Sequence, residues 1–121
     1  RSVINNEDII LHTTGDLGRC YCYTMDAITA MLYVLLRGKD GEAYNVANEK
    51  TYISIRDMAE FVVKNFNPER TRVVIQPQEG LGYSPTTKLR LSAERIIQLG
   101  WKPYYGLKEM FNRLITSMKE E

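Results

Sequence analysis

Arg19, Cys20, Tyr21, Cys22 and Tyr23 follow one another directly before a stretch of helical periodicity, and their types and spacing allow two kinds of chemistry. Thiols one residue apart suggest a metal or redox pair, and a guanidinium beside phenols suggests an anion site. A structural zinc site wants four Cys or His ligands, whereas the chain holds two cysteines and one histidine and would have to recruit carboxylates. Free cysteine is among the most buried residue types, so both thiols are expected to pack beneath the following helix. His12, alone at a strand end, is expected to be a surface or hydrogen-bonded residue rather than a ligand or base. No metal site is assigned.

Period-two alternation then places Arg19, Tyr21 and Tyr23 on the face opposite the cysteines. Arginine offers a fork that matches phosphate oxygens in pairs, and a neighbouring tyrosine donates its hydroxyl or stacks its ring. An ordinary exposed polar strand face accounts for the same pattern. The residues alone leave both readings open.

The elements that must position these groups follow from periodicity. Ile9 to His12 reads as a short strand closed by Thr13-Thr14-Gly15-Asp16, and Arg19 to Thr24 as a second strand, paired with it or adjacent to it. Ile28, Met31, Leu32, Leu35 and Leu36 recur at the spacing of an amphipathic helix that Gly38 can end. Ala43 to Val46 reads as a strand. Ser54 and Asp57 form a capping box for a helix with Ile55, Met58, Ala59, Val62 and Phe66 inward. Val73 to Ile75 is a further strand, and Pro77 to Leu89 a long loop of the kind that carries function. Ser92 caps a short helix ending at Gly100, and a last helix from Leu107 buries Met110, Phe111, Leu114, Ile115 and Met118. The expected fold class is a small mixed α/β domain of short strands and about four helices. Residues 1–121 read as a single domain, without repeats or linkers.

Sixteen basic residues against fifteen acidic ones leave a net charge of +1, which provides no field toward nucleic acid or an anionic membrane. No apolar run approaches the ~20 residues that span a bilayer, and the N-terminus lacks the layout of a signal peptide. With no cysteine framework of the secreted type, the expected location is cytoplasmic.

The stretches "GRCYCYTMDAITAMLYVLL", "GEAYNVANEKTYISIRDMAE" and "LGWKPYYGLKEMFNRLI" together resemble the C-terminal, substrate-binding portion of the NAD-dependent epimerase/dehydratase family, the extended short-chain dehydrogenases acting on nucleotide sugars. The matching positions are Arg19, Tyr21, Tyr23 and Asp26, then Tyr44-Asn45-Val46-Ala47, then Leu99-Gly100-Trp101-Lys102-Pro103. The resemblance implies a nucleotide-diphosphate sugar as ligand, with Arg19 on the diphosphate and Tyr21 beside it. Asp26 matches a family Asp, although a carboxylate favoured by the helix N-terminus reads equally well there. Asn45 is expected to hold backbone geometry, and Trp101 to pack in the core.

Some family members carry an Arg and an Asp three residues later, where this chain has Gln78-Glu79-Gly80-Leu81. Lys88 or Arg90 replaces the lost cation, unless both are merely solvated, and Tyr83 and Ser84 are candidates to meet the sugar.

The chain contains no G-x-x-G-x-x-G or G-x-G-x-x-G turn. No cofactor site is therefore assigned; the resemblance implies NAD for a full-length parent whose N-terminal Rossmann half also carries the catalytic Tyr and Lys. Tyr104 and Lys108 have the Tyr-x-x-x-Lys spacing, but Gly106 interrupts them and the match is read as coincidence. No catalytic residue is assigned. Arg1, with no Met before it, suggests a fragment, expected to be inactive alone and to self-associate through surface that the absent half would cover. The alternatives are a free-standing nucleotide-sugar binding module and a structural or oligomerisation domain.

Overall fold

The computed structural model describes residues 1–83 and 87–120, and the chain is arranged in two compact units. The first comprises Arg1–Gly18, Ile53–Lys88 and Phe111–Glu121; the second comprises Arg19–Tyr52 and Leu89–Met110. In chain order the elements are α1 (Ser2–Asn5), β1 (Ile9–Leu11), β2 (Gly18–Arg19), α2 (Thr24–Arg37), β3 (Ile53–Ser54), α3 (Ile55–Phe66), β4 (Val73–Ile75), α4 (Glu94–Gln98) and α5 (Leu107–Glu120). This is the expected small mixed α/β fold.

In the first unit β1 pairs with β4 in parallel, Ile9 opposite Val73 and Leu11 opposite Ile75. The expected pairing of the first two strands does not form. Gly15 turns with φ 74°, and a Cβ there would lie 2.8 Å from the Cβ of Arg56. This close approach lets the first amides of α3, from Ile55 and Arg56, donate to the carbonyls of Leu17 and Gly15, each at 3.0 Å. The chain is thereby steered toward α3 instead of back along β1. Ser54 caps α3 as expected, its hydroxyl accepting from the Asp57 amide at 3.0 Å. Ala59 and Val62 are buried, and Phe66 packs its ring 6.4 Å from that of Phe111. α5 buries none of its residues fully, and Leu114 is exposed.

The second unit has its core around Trp101, Ile96, Ala30, Ala47 and Ala93, with Cys20, Cys22, Tyr33 and Val34 packed against it. Strand structure ends at Arg19, and residues 20–23 run irregularly into α2. Residues 43–46 form no strand either, because among the described residues no neighbouring chain pairs with them. α2 also presents a face other than the expected one: Asp26 and Ala30 are buried, whereas Ile28, Met31, Leu32, Leu35 and Leu36 are exposed.

Asp26 ties this unit together. It is 1% exposed, and its two carboxylate oxygens accept the amides of Tyr104 and Tyr105, both at 3.0 Å. Its own carbonyl accepts the indole N–H of Trp101 at 3.2 Å, and that N–H also reaches the Thr29 hydroxyl at 3.1 Å. Trp101 is thus buried with its one donor satisfied, as a buried indole requires. The Asp26→Ala substitution strands two amides and is expected to cost about 2–4 kcal/mol. Urea unfolding measures this, with Asp26→Asn, which keeps one acceptor oxygen, falling between; an unchanged midpoint for Asp26→Ala contradicts the assignment.

Candidate functional site

Arg19 and Tyr21 lie in the second unit, where the loss of strand pairing after Arg19 leaves the Tyr21 backbone needing other partners. Thr51 supplies them. Its buried hydroxyl accepts the Tyr21 amide at 2.8 Å, and its single proton is shared between the carbonyls of Tyr21 and Asn48. Thr51 belongs to a one-turn 3-10 helix, Glu49–Thr51, capped by the Asn48 side chain through the Lys50 amide at 3.2 Å. The side chain of Glu49 accepts the Ala93 amide at 2.9 Å, which ties the turn to the start of α4.

Of the expected alternation, the partial burial of the two cysteines is seen, although residues 20–23 form no strand. Cys20 and Cys22 pack against the core, and the charge of Arg19 acts on the Tyr21 phenol. Partial burial raises the Tyr21 pKa above the ordinary tyrosine value, and Arg19 pulls it part of the way back. The phenol therefore stays protonated at neutral pH and serves as a hydrogen-bond donor. Burial, with the Asp26 carboxylate adding to it, likewise raises the Cys22 thiol, which disfavours the reactive thiolate. Tyr23 stands at the N-cap of α2 with its ring centroid 4.6 Å from that of Tyr105, so it has a packing partner.

Arg90 also lies in the second unit, its guanidinium 5.3 Å from the ring centroid of Tyr52. Tyr52 follows Thr51 directly, so one turn carries both the hydroxyl that fixes Tyr21 and the ring that seats Arg90. Neither Thr51 nor Tyr52 was singled out from the sequence. Asn48-Glu49-Lys50-Thr51, an Asn opening a polar run, is the signal for the turn; nothing in sequence order links Tyr52 to Arg90.

Tyr83 and Lys88 belong to the first unit, where both are exposed and the Lys88 backbone forms a parallel bridge with Gly18. Ser84 lies outside the described residues. Asn45 donates to the Ser92 carbonyl at 3.2 Å, a backbone-holding role. Among the described residues no three His, Cys, Asp or Glu side chains gather where they could hold a metal, and no helix is long and apolar enough to cross a membrane. Clefts of about 390 and 360 Å³ lie elsewhere, the first against Phe66, Arg70 and Lys119, the second against Lys39, Tyr44 and Arg95.

Raised pKa values at Tyr21 and Cys22 mean that the folded state holds these protons more tightly than the unfolded chain does. Their contribution to stability is present below the ordinary thiol and phenol values, 9.0 and 10.0, and is lost as pH rises through the folded values. Removing the cation in Arg19→Ala is expected to push Tyr21 higher still. An ultraviolet titration of each protein against its Tyr21→Phe counterpart reads the shift, and a downward movement contradicts the pairing.

In sequence the chain is 28% identical over 123 residues to dTDP-D-glucose 4,6-dehydratase of Bos taurus, covering 96% of this chain and 33% of that protein. dTDP-glucose 4,6-dehydratase from Bacillus anthracis, solved in complex with NAD, matches in fold with a TM-score of 0.77 at 15% identity, covering 99% of this chain and 37% of that one. UDP-glucose 4-epimerase from Thermotoga maritima, solved with UDP-glucose, matches with a TM-score of 0.74 at 19% identity, covering 97% and 38%. No protein-family model matches the sequence.

The chain thus spans about a third of the length of the curated relatives it matches. At the starts of α2 and α3 the residues present do not fit a dinucleotide of the kind held by one solved neighbour. The junctions leading into α2 and α3, residues 20–23 and Ser54, hold no glycine, so neither backbone allows the close approach that a pyrophosphate at a helix N-terminus requires. In sequence and in fold, the chain resembles the NAD-dependent epimerase/dehydratase family over about a third of its relatives' length.

Proposed function

We propose that this chain is the C-terminal, nucleotide-sugar-binding portion of an NAD-dependent sugar epimerase or dehydratase, whose dinucleotide-binding portion carries NAD and the catalytic Tyr and Lys. The observation that supports the reading is that Arg19 lies near enough for its charge to act on the Tyr21 phenol, at the positions where the family resemblance puts diphosphate contacts. Arg19 supplies the positive fork, Tyr21 a neutral donor, and Arg90, seated on Tyr52, a second cation in the same unit. Grip on the diphosphate, remote from the reacting sugar carbon, contributes orientation to the chemistry carried out elsewhere. On its own this portion performs no reaction.

Isothermal titration of the chain with UDP-, dTDP-, CDP- and GDP-sugars tests the reading. Binding of one base is expected, weakened about 10- to 100-fold in Arg19→Ala, the loss of one charge-assisted hydrogen-bond pair. Equal affinity in the variant, or no binding by a chain that circular dichroism shows to be folded, contradicts it.

A further inference from the structure

A cleft of about 390 Å³ lies within the first unit, bordered by α1, by the end of α3 with the turn after it, and by α5. Its apolar part is made by Val3, which is buried, and by Ile4, Phe66 and Ile115, which are half-buried. Asn112, Thr116 and Lys119 border the same space, and their i, i+4, i+7 spacing sets them on one face of α5. Arg70 lines it from the turn after α3. Small-molecule sites take this form, a concave surface of a few hundred Å³ with apolar walls and a small number of convergent polar groups.

The polar groups of the cleft divide unevenly into spent acceptors and free donors. Asn67 uses its side-chain amide on the Val3 carbonyl at 2.8 Å and on Oδ1 of Asn6 at 3.0 Å, which occupies both oxygens. Carbonyls at the helix ends are occupied too: that of Ser2 accepts the amides of Asn6 and Glu7, and that of Val63 accepts the amide of Asn67. Beside Oδ1 of Asn67, what remains is the amide nitrogen of Asn6, the side chains of Asn112 and Thr116, and two cations. Among the described residues Arg70, Lys119, Asn112 and Thr116 make no side-chain hydrogen bond or ion pair, and no carboxylate lines the cleft. Lys119, in the last turn of α5, complements the helix dipole; Arg70 lies beyond the end of α3, and that role does not account for it.

We propose that this cleft binds a small organic phosphate, with Arg70 and Lys119 on the phosphate and Phe66 and Ile115 against the apolar body. A phosphate monoester carries about −1.5 to −2 charge at pH 7, which two cations balance and a single carboxylate would half use. Arginine matches two phosphate oxygens with its fork, and lysine adds a point charge. Asn112 and Thr116, with three hydrogens to donate between them, serve the remaining oxygens. The inference does not depend on the function proposed above, since every residue it uses lies in the first unit and Arg19 and Tyr21 lie in the second.

The test is a titration of the nitrogen-15-labelled chain, followed by amide spectra, with phenyl phosphate as the probe and inorganic phosphate and benzyl alcohol as its two halves. Phenyl phosphate is expected to give saturable shifts at the amides of Asn112 and Thr116. Its affinity is expected to fall about tenfold in Arg70→Gln and in Lys119→Gln, the loss of one charge-assisted contact each; both side chains are exposed, and the rest of the spectrum reports that the variants are folded. Inorganic phosphate is expected to bind about tenfold more weakly, because it leaves the apolar wall uncovered. No saturable shift at residues 112 and 116, or an affinity that neither variant changes, overturns the site. Inorganic phosphate as tight as phenyl phosphate overturns the organic ligand, and benzyl alcohol as tight overturns the role of the cations. Saturable shifts confined to Arg19, Tyr21 and Arg90 overturn the cleft and leave the proposed function standing.

Discussion

A buried carboxylate at the start of one helix organises the second unit. Taking an ionised Asp out of water costs several kcal/mol unless donors replace the lost hydration. Asp26 meets that demand with two backbone amides and a place in the first turn of α2, where the helix dipole favours negative charge. The consequence is long-range, because the amides belong to Tyr104 and Tyr105, far along the chain. Tyr105 passes the constraint on: its carbonyl accepts the side-chain amide of Asn48 at 3.0 Å. The Asn48 carbonyl accepts from Thr51, and Thr51 holds the backbone of Tyr21. One run of hydrogen bonds therefore links the helix start to the strand end that presents Arg19 and Tyr21.

This wiring explains how residues 20–23 are held where no strand exists. A threonine hydroxyl takes the place of a neighbouring strand at Tyr21, and the apolar core takes the cysteines. The thiols at residues 20 and 22 act as small packing groups, and the raised thiol of Cys22 keeps it in its less reactive form. Arg19 lies near enough to Tyr21 for its charge to act on the phenol.

What the sequence disclosed and what it concealed divide along the range of the interactions. The span of α2, the Ser54 capping box and the burial of Trp101 depend on neighbours in sequence or on sheer side-chain size, and were legible. Periodicity revealed the stripe of α2 but not what covers it: the side packed in this chain is the one with Ala30, a small residue with little hydropathy signal, and the stripe itself is open. The strand expected at residues 43–46 has the right composition but no partner here, and composition cannot supply a ladder. The β1–β4 pairing and the seat of Arg90 on Tyr52 depend on residues brought together by the fold, which no local pattern announces. Asp26 was legible as a helix-terminal carboxylate, yet its role as an acceptor for Tyr104 and Tyr105 was not.

The proposed role of Arg19, two residues before the backbone that this network fixes at Tyr21, is to grip a diphosphate. The most direct measurement is the arginine side-chain Nε–H spectrum of the chain titrated with UDP-glucose and dTDP-glucose, its Arg19 resonance assigned by the Arg19→Lys variant. A saturable shift of the Arg19 signal with one of the nucleotide sugars, absent with the free sugar, is the predicted result. Saturable binding that moves other arginines and leaves Arg19 in place contradicts the account.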